Sequence, residues 1–322
     1  MSSPELHPRD GAVLAYGAAN VGNLHRALDD AEAHAVLAAA WGAGIRTFDT
    51  APHYGLGLSE RRVGAFLRDK PREQFTISTK VGRLIRPNPG GEGGLDLDNA
   101  FHVPTDVRRE WDFSARGIEA SLDESLERLG LDRVDTLYLH DPERHDLDLA
   151  ISEALPALEN LRARGRVDRI GVGSMDADAL AASVRGADLD EVMVAGRFTL
   201  LEQPAAAEVL PACRERGTTI VAASVFNSGL LSRDEPSRDA RYEYGGVPEA
   251  IWSRLERILE ICRAHGVALP AAALAFVARE PLVTTVVIGA SRPSHLAQNA
   301  ESWRAEIPEA FWDDLARAGL IP

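Results

Sequence analysis

Ile45-Arg46-Thr47-Phe48-Asp49-Thr50-Ala51-Pro52-His53-Tyr54-Gly55 opens as a short run of strand-forming residues, ends that run on a carboxylate, and places a phenol five residues later. Two later runs end in the same manner. Phe75-Thr76-Ile77-Ser78 leads to Lys80, and Val134-Asp135-Thr136-Leu137-Tyr138-Leu139 leads to His140. If the three are parallel strands joined through helices, Asp49, Tyr54, Lys80 and His140 emerge on one face of one sheet. In a closed β/α barrel that face carries the chemistry. A phenol beside an ammonium, a carboxylate and an imidazole suits proton transfer better than metal binding, which points to a barrel oxidoreductase.

The same alternation runs outward from these segments. Strands are expected at Ala12–Tyr16, 45–49, 75–80, 134–139, 169–172, 192–195, 219–223 and 284–288. Helical periodicity falls between them: 30–42 behind an Asp29 or Asp30 cap, 59–68, the segment capped by Ser114 and closed by Gly130, 150–164, 177–185 and 205–216. Helices over 249–264 and 271–279 precede the last strand, and two short ones start at Pro293 and Pro308. Eight strand–helix units predict an α/β fold, a single-domain (β/α)8 barrel over residues 1–322. Between Lys80 and Phe113 the pattern stops. Pro87, Pro89 and four glycines from Gly90 to Gly94 predict a long irregular loop, and 232–248 predicts another.

Composition excludes several classes. A formal charge of -14 and a pI near 5.1 leave no basic face for nucleic acid. No apolar run is long enough to span a bilayer. Met1-Ser2-Ser3-Pro4-Glu5 has no positive n-region and no apolar stretch, so a cytoplasmic protein is expected. Cys213 and Cys262 lack metal-ligand spacing and read as reduced thiols within helices. No heptad pattern marks an oligomer interface.

An anionic cofactor needs donors. A dinucleotide fold requires Gly-x-Gly-x-x-Gly, and neither Gly55-Leu56-Gly57 nor Gly171-Val172-Gly173 supplies the third glycine. Ile288-Gly289-Ala290-Ser291-Arg292-Pro293 instead joins a strand end, a hydroxyl, a guanidinium and a Pro-opened helix, an arrangement suited to phosphate. Ser224-Val225-Phe226-Asn227-Ser228-Gly229 adds hydroxyls and backbone donors.

These residues resemble the aldo-keto reductase family over nearly the whole chain. The resemblance is carried by Phe48–Gly55, Ser78-Thr79-Lys80-Val81-Gly82 and Tyr138-Leu139-His140, with support from 129–135 and 169–173. Within the family the chain is similar to the sugar-oxidising branch of D-threo-aldose (L-fucose) dehydrogenases, through 111–114, His140-Asp141-Pro142, 195–203 and 225–231. The resemblance implies a catalytic tetrad of Asp49, Tyr54, Lys80 and His140. Tyr54 would be the general acid/base, its pKa brought down from about 10 by Lys80, which Asp49 holds. His140 would orient the substrate oxygen. It implies NAD or NADP held by Gly17, Ala18, Asp49, Ser174, Ser224, Phe226, Asn227, Ser228, Gly229, Leu230, Gly289, Ser291, Arg292 and Asn299. It implies no metal, and a small sugar or aldehyde as substrate.

Gly173-Ser174 stands where the family commonly has Ser-Asn, and Ala223 where a Tyr stacks on the nicotinamide, which leaves Phe226 as a substitute. Gly289 and His295 replace cations common in NADP-preferring members, which favours NAD, with Arg292 able to serve a 2′-phosphate. His53, Trp111 and Arg197 are candidate substrate contacts, Trp111 being equally suited to packing the base of the long loop. His145-Asp146 reads as a surface polar pair. Three alternatives stay open: a barrel hydrolase with a metal on Asp49, His53, His140 and Asp141, a general aldehyde reductase that includes pyridoxal-type substrates, and a cofactor-binding regulatory subunit.

Overall fold

A computed structural model describes residues 6–243 and 245–322, so the reading of Met1–Glu5 lies outside the described residues. Eight parallel strands close into a barrel: β1 (Val13–Gly17), β2 (Thr47–Asp49), β3 (Thr76–Val81), β4 (Thr136–His140), β5 (Arg169–Ser174), β6 (Glu191–Ala195), β7 (Thr219–Ala223) and β8 (Val283–Gly289). β8 returns to β1 with Gly17 opposite Gly289, and β1 also pairs β2 with Gly17 opposite Asp49. Closure leaves no edge for a doubly wound sheet, and the barrel expected from the alternation is the one observed.

Helices α1 (Asp30–Gly42), α2 (Leu58–Leu67), α3 (Ala115–Leu129), α4 (Leu155–Ala163), α5 (Ala177–Gly186), α6 (Ala205–Arg216), α7 (Glu249–His265), α8 (Leu269–Ala278), α9 (Pro293–Arg304) and α10 (Glu309–Arg317) surround it. Their ends follow local chemistry. Asp29 caps α1 in a full capping box with Glu32, Ser114 accepts from Gly117 N at the start of α3, and Gly130 closes α3 in the left-handed region. Cys213 in α6 and Cys262 in α7 are buried and free, and burial pushes both thiols up to about 12. Among the described residues no single helix is long and apolar enough to cross a membrane. The apolar α7–α8 pair is bent by 101°, and nine residues of α8 are buried against the barrel.

Side chains alternate across each strand, one set outward to the helices and one into the barrel. Leu14, Tyr16, Phe48, Ile77, Leu137, Ile170, Val192 and Ile220 join the large core beneath the helices. Ala15, Tyr138, Met193, Val221, Ala223 and Val287 form a separate cluster inside the barrel. Two positions from Tyr138 along β4 stands His140, and the register sets Lys80 opposite Tyr138 and Ser78 opposite Asp49. Asp49, Lys80 and His140 thus share the inward phase. The opposite end of the interior is filled by polar groups, with Glu191 bound by Tyr138 Oη and by Arg169 at 2.6 Å.

The segment after Lys80 differs from the irregular loop expected. Strands Arg83–Pro87 and Val107–Trp111 pair antiparallel into a hairpin that continues β3, with Arg83 opposite Trp111. A second small hairpin, 241–242 with 245–246, lies in the other long loop.

α2 and α3 meet in contact that admits no side chain at Gly64, where a Cβ would lie 2.0 Å from Leu129 O. Gly64→Ala should therefore lower stability by about 2 kcal/mol through overpacking, seen as a lower urea midpoint at unchanged slope.

Candidate active site

The turn after β2 delivers Tyr54. Gly55 sits at φ +63°, and a Cβ there would lie 2.1 Å from Gly22 O, so the phenol rests on a backbone-to-backbone contact that only glycine allows. Beside it, Lys80 Nζ donates to Asp49 Oδ2 at 2.6 Å and to Thr50 O at 2.9 Å. Ser78 Oγ donates to the other Asp49 oxygen at 2.8 Å. The ammonium lies 4.7 Å from the Tyr54 ring centroid, and the His140 ring stands edge-on to the same phenol at 5.8 Å. The four residues expected to converge do so.

Electrostatics assign their charges. Burial would pull the Lys80 ammonium down, but Asp49 and then Tyr54 outweigh it, and its pKa ends raised. Burial pushes the Tyr54 phenol up, Lys80 opposes, and Asp49 reinforces the rise. Lys80 thus draws the phenol down as expected, but burial outweighs it and the net direction is upward. His140 lies well below its ordinary range through burial first, then Arg83 and Lys80. His53 is lowered by burial and Arg109. The resting site holds a cation, an anion, a neutral phenol and two neutral imidazoles.

Residues 13–319 match the aldo/keto reductase family. The chain belongs to that family. It is 66% identical, over 96% of its length and 94% of the relative's, to D-threo-aldose 1-dehydrogenase of a Pseudomonas species. Identity to pyridoxal 4-dehydrogenase of Microbacterium luteolum is 36% over 96% and 94%. In fold it is similar to the aldo-keto reductase AKR11C1 from Bacillus halodurans in its holo form, with a TM-score of 0.75 and 23% identity over 96% and 92% of the two chains. As an aldo/keto reductase it is an oxidoreductase, and the family implies a nicotinamide cofactor.

The residues on the barrel's C-terminal face suit such a group. Asn227, Ser228 and Gly229 stand consecutively at positive φ, and the amides of Val225, Phe226 and Ser228 have no acceptor among the described residues. Asn227 Oδ1 is buried without a partner among the described residues. So is Glu143 Oε2, whose other oxygen accepts from Ser174 Oγ at 2.8 Å. Buried polar atoms left open beside a mouth are what a polar ligand satisfies. Ala18 is fully buried, and its amide donates to Asp49 O. Gly229 N and Leu230 N close the turn on Phe226 O and Asn227 O. Gly289 ends β8 with Asn20 Oδ1 2.8 Å from where a Cβ would lie, Ser291 O accepts from Arg26, and Asn299 is buried in α9. Arg292 is exposed and in no ion pair among the described residues.

Several expected contacts are committed elsewhere. Phe226 packs into the main core, anchoring its turn. Arg197 donates to Met175 O and pairs with Glu243, both at 2.6 Å, so it fastens the 232–248 loop. Trp111 is stacked by His145 at 5.2 Å and met by Arg83 at 4.2 Å, which supports the packing role weighed for it. His145 is therefore no polar pair with Asp146, whose carboxylate accepts from Leu149 N. His53 faces Phe101, Tyr54 and His140, and its Nδ1 is buried without a partner among the described residues. The carboxylates that a metal hydrolase would use are engaged, since Lys80 takes Asp49 and Arg83 takes Asp141.

Sequence reading missed Ser78, Glu143, Arg83 and the Arg109–Asp96 pair that carries His53 O. The signal for the hairpin was the alternation in 107–111, masked because its half-buried middle position is Arg109.

Asp49→Asn should cost about 3 kcal/mol at neutral pH by stranding a buried ammonium. Without Asp49, burial dominates and Lys80 falls below its unfolded value. The penalty then exists only where unfolded Lys80 binds its proton, so the deficit in urea unfolding should shrink as pH rises towards 10.

Proposed function

We propose that the chain oxidises an aldose of the L-fucose or D-threo type at its anomeric hydroxyl, giving the lactone. The observation that carries this reading is the Tyr54 phenol set between the Lys80 ammonium and the neutral His140 imidazole. The 66%-identical relative named for that reaction supports the substrate class. A bound nicotinamide cofactor supplies the acceptor for the hydride leaving the anomeric carbon.

Tyr54 takes the hydroxyl proton in oxidation and returns it in carbonyl reduction. Lys80 holds the phenolate once formed, and Asp49 with Ser78 holds Lys80. His140 directs an N–H at the oxygen on which charge changes. Because burial raises the phenol, the phenolate is a minor form near neutrality. Oxidation should quicken with rising pH through about pH 9, and aldehyde reduction should not. A favoured second reading is aldehyde chemistry at the same site, supported by the pyridoxal 4-dehydrogenase relative.

NAD is the preferred cofactor in this reading. His295, held neutral by burial and by Arg292 and Arg233, offers no fixed charge to a 2′-phosphate. Arg292, exposed and in no ion pair among the described residues, is the cation offered to that phosphate in this reading. We also read the chain as a cytoplasmic enzyme of small molecules.

Reduced-nicotinamide absorbance with L-fucose, D-arabinose, L-galactose and pyridoxal tests substrate and cofactor together, and silence with every aldose sinks the sugar reading. Tyr54→Phe should abolish turnover while cofactor binding, followed by fluorescence, stays near wild type. Arg292→Ala should weaken NADP about tenfold, the worth of one charge-assisted hydrogen bond, and NAD less than about twofold.

A further inference from the structure

Arg83 is 4% exposed and begins the hairpin three residues beyond Lys80. Its Nη2 donates to Asp141 Oδ2 at 2.8 Å, its Nη1 lies 3.4 Å from His140 Nδ1, and its guanidinium carbon sits 4.2 Å from the Trp111 ring centroid. Asp141 leaves β4 at φ +45°, a strained conformation for a non-glycine residue, while its amide bonds Gly173 O at 2.9 Å. That turn brings the carboxylate back under Arg83.

A guanidinium has donors and no lone pair to offer. A proton on His140 Nδ1 would set donor against donor beside a fixed cation. The lone pair must therefore face Arg83, and the proton of the neutral ring belongs on Nε2. Asp141 Oδ2 stands 3.6 Å from Nε2, too far for a hydrogen bond and already engaged by Arg83.

We propose that Arg83 is a positioning residue that fixes His140 as the neutral Nε2–H tautomer, ready to donate to the substrate oxygen. It acts in two ways: its charge excludes the Nδ1 proton and the imidazolium, and its bond to Asp141 keeps that carboxylate from capturing the ring. The groups facing His140 are Arg83 and Arg109 from the two hairpin strands, Lys80 from β3, His53 and Tyr54 from the turn after β2, and Asp141 beside it. Arg83 and Asp141 are the pair whose separation would leave a carboxylate to stabilise a charged ring. The kinetic consequence rests on the dehydrogenase reading, and the tautomer does not.

The test uses the whole enzyme with 15N-labelled histidine and two variants. In the wild type, nitrogen shifts assigned by their loss in His140→Asn should show Nε2 protonated and Nδ1 bare across pH 6–8. A proton on Nδ1, or an imidazolium, overturns the proposal without any substrate being turned over. Arg83→Gln keeps a polar arm yet can accept a proton from Nδ1 and frees Asp141. It should lower kcat about tenfold with the cofactor KM unchanged, and its kcat profile should gain an ionisation between pH 6 and 8. Arg83→Lys restores the charge and should return the wild-type pH profile with part of the rate. A folded Arg83→Gln enzyme with the wild-type rate and profile, or equal losses in both variants with neither profile altered, would overturn the assignment. If Arg83→Gln does not fold, the wild-type shifts decide alone.

Discussion

Everything at the mouth of this barrel is arranged around the contact between Lys80 and Asp49. Burying an ammonium and a carboxylate costs several kcal/mol for each ion unless their attraction and added hydrogen bonds offset it. Here they do so with two further partners: Asp49 accepts from Ser78 on its second oxygen, and Lys80 donates a second bond to Thr50 O. Adjacent strands β2 and β3 supply the pair, so closing the sheet is also what assembles the charges. The same burial that makes the pair costly pushes the neighbouring phenol up, against the pull of Lys80 and with the help of Asp49, so its protonated state persists at rest.

Much of this was legible because the strand period does the placing. Asp49, Lys80 and His140 each end an apolar run, and a parallel sheet turns three such endings into one site. The caps at Asp29, Ser114 and Gly130 were equally readable, being set by neighbours within four residues. What escaped were partnerships across long separations. Nothing in Arg197 announces Glu243, 46 residues on, and nothing in Arg83 announces His140, 57 residues on. The direction of the Tyr54 shift escaped for a related reason. Proximity to a lysine can be read from a motif, whereas the depth of burial that outweighs it depends on the packed whole.

The hairpin from Arg83 to Trp111 gives the long excursion after β3 a task beside the chemistry. It grows directly from β3 through Gly82, returns beside His145, and sends Arg109 back to Asp96 and His53 O. Its two strands thus hold both imidazoles from outside the barrel, while Arg197, Glu243 and Ser228 tether the opposite loop across the 224–229 turn. The site is walled by two segments anchored at both ends, one against the imidazoles and one against the turn suited to an anion.

The two cysteines give the enzyme a chemical temperament of its own. With each thiol buried and raised to about 12, both stay protonated at neutral pH. Peroxide and alkylating agents attack the thiolate, and both cysteines lie in helices outside the barrel. The helical layer that insulates the barrel therefore also keeps both thiols in their unreactive form.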